Sequence, residues 1–237
     1  MQRPAGQRGN AACLVPFAAL ARYHRNMNTL LLSFSLICGT AFAIWFCHKP
    51  ASGRKSLVKT TSVAALALIA ILNDAPAALI AGLLFGAVGD YFLSRDGTPA
   101  FLTGLIAFAL GHFAYAVLIW QSGAVVMVTV PVLIMVGFAA AVGAILVPRA
   151  GRLAWPVAGY IALIAAMCIL ALGLPDGHRL GLTAALMFAG SDALLGVSLF
   201  VLAATWRHNW PLSVAIWSLY FGAQLLFLCA FGAVWQL

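Results

Sequence analysis

Eight long apolar runs follow one another along the chain, separated by short segments that contain Gly, Pro, Asn or Asp. Each run has close to or above the roughly 18 residues with which a helix crosses a bilayer core of about 30 Å. The predicted helices span residues 28–47, 57–73, 77–95, 101–120, 124–147, 153–174, 180–204 and 211–235. The pattern predicts an all-α polytopic membrane protein, with one eight-helix transmembrane domain over residues 28–235.

Residues 1–26 have a different character. They contain four Arg and no acidic residue, and their apolar part, residues 11–21, is too short to cross a membrane. We interpret residues 1–26 as a basic N-terminal arm that is interfacial or disordered.

Composition agrees with a membrane protein. The chain is 64% hydrophobic and 8% charged, whereas about 25% of the residues of a soluble domain are charged. Its net charge of +8 comes from Lys and Arg in short connections and at helix ends, which indicates contact with membrane lipid and not with nucleic acid. The five Cys are scattered without a CxxC pair, so we expect neither a disulfide framework nor a zinc site.

The basic residues are distributed unevenly between the two ends of the predicted helices. The connections after odd-numbered helices and the adjoining helix ends hold Lys49, Arg54, Lys55, Lys59, Arg95, Arg149, Arg152 and Arg207. The opposite connections hold only Arg179. The positive-inside rule predicts that the odd-numbered connections are cytoplasmic in a bacterial inner membrane, with both termini on the other side. The arginines of the N-terminal arm argue against this orientation.

Two carboxylates lie inside apolar runs. The segments "LLFGAVGDYFL" (83–93) and "LMFAGSDALLG" (186–196) place Asp90 and Asp192 102 residues apart, each in the third helix of a four-helix half. This weak repeat predicts two parallel halves, with both carboxylates at similar depth. Because a charged Asp at the centre of a membrane helix costs about 2.5–3.5 kcal/mol, we expect this pair to be functional.

Further polar side chains fall at helical spacings. His112 and Tyr115 are three residues apart and Tyr220 and Gln224 are four apart, so each pair shares one helix face. We expect one layer of side chains that contains Asp90, Asp192, His112, Tyr115, Tyr220 and Gln224, which Lys59 can enter from the end of the second helix. Ser191, next to Asp192, is a candidate for substrate binding or for tuning of the carboxyl pKa. Each neighbour of the Asp pair also has a structural interpretation, such as a packed tyrosine, a core histidine, an interhelical glutamine or a snorkelling lysine.

At these residues the chain resembles the lysoplasmalogenase (YhhN-like) family of integral membrane proteins. The matching pieces are Lys59, "GLLFGAVGD", "FLTGLIAFALGHFAY", Tyr160, Met167, "MFAGSD" and "YFGAQ", and the resemblance covers roughly residues 28–235. It implies a transmembrane hydrolase that cleaves the vinyl ether bond of lysoplasmalogens. The products would be a fatty aldehyde and glycerophosphocholine or glycerophosphoethanolamine. The expected partners are a lysophospholipid substrate and membrane lipid, with no cofactor and no metal.

The carboxylate pair suits this reaction. Protonation of the β-carbon of a vinyl ether leaves an oxocarbenium ion that water captures, and glycosidases use two carboxyl groups on a similar cation. Burial and a neighbouring carboxylate both raise a carboxyl pKa, so we expect Asp90 and Asp192 to act as one unit that retains a proton. We assign Asp192, next to Ser191, as the proton donor. Lys59 and His112 are candidates for phosphate binding or for tuning of the pair.

Tyr115, Tyr220 and Gln224 are candidates for orienting the ether oxygen or the water. Two other functions remain open from the sequence. One is a proton-coupled transporter of lipid or a small molecule that uses the same buried Asp pair. The other is a metal-dependent hydrolase that uses Asp90, His112 and Asp192, although no closely spaced metal motif supports it.

Overall fold

The computed structural model describes the backbone of residues 11–202 and 209–232, and the side chains of these ranges from residue 24 onward. The described helices are α1 (Ala11–Ala41), α2 (Gly53–Leu72), α3 (Ala77–Leu93), α4 (Thr98–Gln121), α5 (Val130–Leu146), α6 (Ala154–Leu172), α7 (Arg179–Phe200) and α8 (Trp210–Phe231). A π-helical turn, Phe42–Phe46, extends α1, and 3-10 turns lie at Val147–Arg149, Gly151–Leu153 and Asp176–His178. Seven of these helical segments are long and apolar enough to cross a membrane, and α3, with 17 residues, is shorter. The prediction of an all-α polytopic membrane protein is confirmed.

Local sequence determines several helix starts. The Ser52 hydroxyl accepts a hydrogen bond from the Lys55 amide at 3.2 Å, and the Asn209 side chain accepts one from the Leu212 amide at 3.2 Å. Both are N-caps, which satisfy backbone donors that have no partner within the helix. α4 and α5 have no side-chain cap but carry Pro in their first turn, where its missing amide hydrogen costs nothing, and α8 has such a Pro in addition to its cap.

Two predicted boundaries differ from the structure. α1 begins at Ala11, so residues 11–26 of the predicted arm continue the first helix, consistent with their many Ala and Leu residues. α5 begins at Val130 and not at residue 124: the valine-rich segment 124–129 has no regular secondary structure, its last residue, Thr129, is extended, and Pro131 favours a helix start there.

Parts of the predictions lie outside the described residues. They are residues 1–10 of the arm, Arg207 and the predicted helix ends at 204 and 235. The described parts of the last two helices end at Phe200 and Phe231.

The helices pack in an order that agrees with the predicted repeat. Within each half, each helix contacts the next along the chain: α1 with α2, α2 with α3, α3 with α4, then α5 with α6, α6 with α7 and α7 with α8. Between the halves, α4 packs against α6, and α8 packs against α2. An exchange of the two halves converts the first of these contacts into the second.

Glycines along α3 allow its neighbours to approach closely. An added Cβ atom would lie 2.5 Å from the Tyr115 ring at Gly82, 2.3 Å from the Gln224 amide at Gly86 and 2.7 Å from the Phe108 ring at Gly89. Small residues at membrane helix interfaces commonly permit this kind of contact. They bring side chains of α4 and α8 onto the face of α3.

Gly173 should be intolerant of substitution. It follows α6, and its carbonyl oxygen accepts a 2.9 Å hydrogen bond from the amide of Val125 in the irregular segment before α5. A Cβ atom at Gly173 would lie 2.3 Å from the Val125 carbonyl oxygen, which belongs to the backbone and cannot rotate away. We expect Gly173→Ala to cost about 1–3 kcal/mol, as overpacking does.

Thermal unfolding in detergent should therefore show a Tm lowered by roughly 2–4 °C for each kcal/mol lost. Gly177→Ala is the matched control, because an added Cβ there meets nothing within 4 Å. Equal Tm values for the two variants would contradict the expected clash.

Candidate active site

Asp90 lies in the last turn of α3 and is completely buried. Its Oδ1 lies 3.0 Å from the Lys59 ammonium of α2, and its Oδ2 accepts a 2.7 Å hydrogen bond from the Tyr220 hydroxyl of α8. The Lys59 contact has the distance of an ion pair, but its angles do not meet hydrogen-bond geometry. Both partners favour a negative charge on Asp90.

Aromatic rings surround the ammonium group of Lys59. Its Nζ lies 5.7–5.8 Å from the ring centroids of Phe42, Trp217 and Tyr220, within cation–π range. Phe42 and Trp217 have ring centroids 4.4 Å apart, and Trp217 donates a 2.9 Å hydrogen bond to the carbonyl of Gly39 in α1. These contacts cover the Lys59–Asp90 ion pair on the side where α8 meets α1.

A buried hydrogen-bond chain extends from Asp90 into the bundle. Gln224 donates to the Tyr220 hydroxyl at 3.2 Å, and the Tyr115 hydroxyl donates to the Gln224 carbonyl oxygen. The Tyr115 ring stacks on Phe227 at 4.0 Å between centroids. These hydrogen bonds therefore link α3, α8 and α4. The side chains of Tyr115 and Gln224 are fully buried.

Asp192 lies in the second half of α7 and has different partners. Its Oδ2 accepts a 2.9 Å hydrogen bond from the Tyr160 hydroxyl of α6 and lies 3.2 Å from His112 Nε2 of α4. Its side chain is 11% exposed, whereas that of Asp90 is 0% exposed. Asp192 is therefore the carboxylate that a ligand can reach.

His112 directs one ring nitrogen at a backbone carbonyl and the other at Asp192. His112 Nδ1 is 2.7 Å from the Phe108 carbonyl oxygen, which can only accept, so Nδ1 carries a hydrogen. In a neutral ring with this tautomer, Nε2 is an acceptor, as is an ionised carboxylate. A hydrogen on either group would make this 3.2 Å contact favourable. The contact is not aligned as a hydrogen bond, so His112 Nε2 has no hydrogen-bond partner among the described residues.

The two carboxylates occupy related positions in the two halves. Asp90 is contacted by the second helix of its own half, α2, and by the fourth helix of the other half, α8. Asp192 is contacted in the same way, by α6 and α4. The helix arrangement is repeated, but the partners are chemically different: an ammonium group at Asp90, and an imidazole at Asp192.

The structure therefore contains two polar centres and not the single layer expected from the sequence. Lys59, Tyr220, Gln224 and Tyr115 gather at Asp90, and His112 contacts Asp192. The Phe188 ring packs on His112 at 4.7 Å and on Tyr220 at 5.4 Å, between the two centres. Ser191 donates to the Ile216 carbonyl of α8 at 3.0 Å. Each carboxylate therefore has polar partners of its own, and proton sharing within the Asp pair stays a prediction.

A cationic cavity opens where the odd-numbered connections lie. Its volume of about 680 Å³ is within the 300–1,000 Å³ that is usual for small-molecule sites. Its walls hold four basic side chains and two acidic ones: Lys49, Lys55, Lys59 and Arg95, with Asp96 and Asp192. Ser191 and Tyr220 also contribute to the walls. The cavity suits a ligand with an anionic group at this end of the bundle.

An apolar groove meets this cavity at Asp192. Side chains of α4, α5, α6 and α7 line the groove, and Asp192 and Tyr160 are among the few polar residues in it. The groove and the cavity share Leu93, Phe101, Phe108, Asp192, Leu195 and Leu199. Asp192 therefore lies at the junction between a cationic compartment and an apolar one.

Some residues of these centres were not among the predicted site residues. Tyr160 is the only hydroxyl group in α6, and that isolation was the available signal. The cavity walls also include Lys49, Lys55 and Arg95, which the sequence interpretation used only for membrane orientation. Within residues 24–202 and 209–232, no three His, Cys, Asp or Glu side chains form a group that could hold a metal ion.

Comparison with known proteins identifies the family. The model of the YhhN family matches residues 54–231, which include both Asp90 and Asp192. The chain belongs to the YhhN family. Two curated relatives, each called "Lysoplasmalogenase", come from Mycobacterium bovis (strain ATCC BAA-935 / AF2122/97) and Mycobacterium tuberculosis (strain CDC 1551 / Oshkosh).

Each of these relatives is 32% identical to the chain over 166 residues, which is 65% of this chain. The match spans 59% of the length of each relative. No solved structure matches the chain significantly. As a member of the YhhN family with several long apolar helices, the protein is an integral membrane protein.

Proposed function

We propose that this YhhN-family protein is a membrane-embedded hydrolase that cleaves the vinyl ether bond of lysoplasmalogens. The products are a fatty aldehyde and glycerophosphocholine or glycerophosphoethanolamine. The position of Asp192 at the junction of the cationic cavity and the apolar groove carries the proposal. In a lysoplasmalogen, the vinyl ether is the link between a glycerophosphate headgroup and a hydrocarbon tail. A lipid with its headgroup in the cavity and its tail in the groove presents that link to Asp192.

The proton held by His112 and Asp192 starts the reaction. It adds to the β-carbon of the vinyl ether, and the α-carbon becomes an oxocarbenium ion that the Asp192 carboxylate stabilises. Water adds to the α-carbon and returns a proton to the pair. The hemiacetal then breaks its bond to the glycerol oxygen, which leaves as an alcohol, and the α-carbon becomes the aldehyde. One water is consumed and the pair is regenerated.

The neighbouring residues have supporting roles in this mechanism. Tyr160 holds the Asp192 carboxylate, and the Phe108 carbonyl fixes the orientation of the His112 ring. Lys59 balances the charge of Asp90 and also reaches the cavity wall. Lys49, Lys55 and Arg95, in the same cavity wall, provide a positive field that attracts the substrate phosphate.

The orientation of the protein is part of the proposal. The described connections after α1, α3 and α5, with the adjoining helix ends, carry seven of the eight basic residues assigned to that side, and the opposite connections carry Arg179. The positive-inside rule then places the cationic cavity at the cytoplasmic face of a bacterial inner membrane.

The proposal predicts a strict requirement for the vinyl ether. Purified protein in detergent should release aldehyde from an alkenyl-lysophospholipid, and none from the alkyl or acyl analogue with the same headgroup. A saturated ether cannot form the oxocarbenium ion by carbon protonation, and an acyl ester has no β-carbon that accepts the proton in this way. Aldehyde can be measured by mass spectrometry.

Two outcomes would refute this function. Comparable turnover of the acyl lipid would indicate an esterase. The absence of aldehyde from folded protein would favour proton-coupled transport, which needs two compartments and breaks no bond.

A further inference from the structure

The helices α4 and α5, both described in full, do not pack against each other along their lengths. α4 packs against α3 and α6, whereas α5 packs mainly against α6 and to a smaller extent against α7. A turn at residues 122–123 and the irregular segment 124–129 join them at one end of the bundle. A gap therefore lies between α4 and α5, and α6 and α7 form its floor.

The apolar groove occupies this gap. Leu105 and Phe108 of α4 form one wall, and Phe138 and Ala139 of α5 form the other. Phe138 is 43% exposed, so the α5 wall extends to the outer surface of the bundle. On a membrane protein this outer surface is covered by hydrocarbon chains.

The corresponding place in the other half is closed. If the halves are exchanged, the α4–α5 gap corresponds to the space between α8 and α1. There the Phe221 ring lies so close to Gly39 that an added Cβ would be 2.5 Å from it, and Trp217 is hydrogen-bonded to the Gly39 carbonyl. Trp217 and Phe221 stack with centroids 5.3 Å apart and fill the space. The open gap is thus a specific property of the half that contains Asp192.

We propose that the gap between α4 and α5 is a lateral portal through which the single hydrocarbon chain of the lipid substrate enters from the bilayer. This inference rests on the proposed function and adds the route of the substrate. The phosphate reaches the cationic cavity at the end of the bundle while the chain stays among apolar side chains throughout. The hydrocarbon chain is therefore never transferred to water. Such a transfer would cost about 0.8 kcal/mol for each CH₂ group.

Narrowing the portal should lower the turnover of long-chain substrates more than the turnover of short-chain substrates. Ala139→Trp places a large ring in the α5 wall, and Ala141→Trp is the matched control because Ala141 is exposed and outside the groove. For a long-chain alkenyl-lysophospholipid in vesicles, Ala139→Trp should lower kcat/KM by roughly tenfold or more, the size of effect that small changes in apolar pockets produce. A water-soluble propenyl glycerophosphate can reach Asp192 through the cavity, so its turnover should fall far less. Ala141→Trp should resemble the wild type with both substrates.

Other results would overturn the portal. Equal losses for the two substrates would mean that the tryptophan disturbs the reaction centre, and no loss with the long-chain lipid would mean that substrate takes another route. Leu105→Trp, on the α4 wall, provides a second variant if Ala139→Trp does not fold.

Binding gives a measurement that is independent of turnover. A lysophospholipid with a photoreactive group at the end of its chain should label residues of the α4 and α5 walls in the wild-type protein, and Ala139→Trp should reduce this labelling. Labelling spread evenly over the outer surface would overturn the portal. If labelling is specific but no aldehyde forms, the portal stands and the proposed hydrolysis fails.

Discussion

Asp192→Asn should remove most of the vinyl ether hydrolysis and leave the protein folded. Tyr160 and His112 both contact Asp192 Oδ2, so an Asn whose carbonyl oxygen takes this position keeps the Tyr160 hydrogen bond and nearly the same side-chain volume. The amide can neither supply a carboxylic proton nor stabilise the oxocarbenium ion with a negative charge. We expect kcat to fall by at least about 10²-fold, the lower end of general acid–base effects. Aldehyde release and size-exclusion profiles measure activity and folding.

Ser191→Ala is the control for local disturbance of α7. Ser191 precedes Asp192, but its hydroxyl bonds the Ile216 carbonyl and not a carboxylate. This variant should keep most of the activity. A well-folded Asp192→Asn protein with nearly wild-type kcat would refute the role of Asp192 in the chemistry.

Lys59→Met should strongly destabilise the protein, and adding Asp90→Asn should restore much of the loss. The single substitution leaves the completely buried Asp90 without its cation. Breaking one side of a buried ion pair typically costs about 3–5 kcal/mol, whereas replacing both charges is often nearly neutral. Thermal unfolding in detergent of the wild type, Lys59→Met and the double variant measures this charge balance.

The same variants separate headgroup binding from folding. The sequence alone made Lys59 a candidate for phosphate binding, and loss of such a contact would mainly raise KM. The buried contact with Asp90 predicts an effect on stability first. The folded double variant should keep a higher kcat than Asp192→Asn, because it retains the His112–Asp192 pair. A double variant as unstable as Lys59→Met would show that the ion pair is not the source of the instability.

Hydropathy was sufficient to predict the class of the fold and the approximate position of each helix, because bilayer thickness sets a minimum apolar length. Hydropathy predicted the wrong helix boundary where a segment is apolar but does not form a helix. Residues 124–129 are apolar enough for a membrane helix, but consecutive β-branched residues before Pro131 favour an extended backbone. At the N-terminus the error was the opposite, since α1 continues back to Ala11 through residues that do not themselves complete an apolar span.

Asp90 and Asp192 could be found from sequence because acidic residues are costly in apolar helices. Their partners could not be assigned, because residue spacing shows which side chains share a helix face and not which helices meet. Tyr160 and His112 reach Asp192 from opposite halves of the chain, through the contact of α4 with α6. The separation of the two centres likewise depends on Phe188, an apolar residue with no chemical signal of its own.

The attachment of α5 has a mechanical consequence. A segment without regular secondary structure precedes it, two short 3-10 turns follow it, and α6 is its main packing neighbour. A sideways movement of α5 would need backbone rotations in these connections and the loss of its packing on α6 and α7, but it would leave every helix of the bundle intact. In addition, an added Cβ at Gly137 or Gly143 meets nothing within 4 Å, so no tight interhelical contact at these glycines holds α5 in place. α5 is thus the helix whose movement relative to α4 would widen or narrow the gap between them, with its packing on α6 as the main restraint.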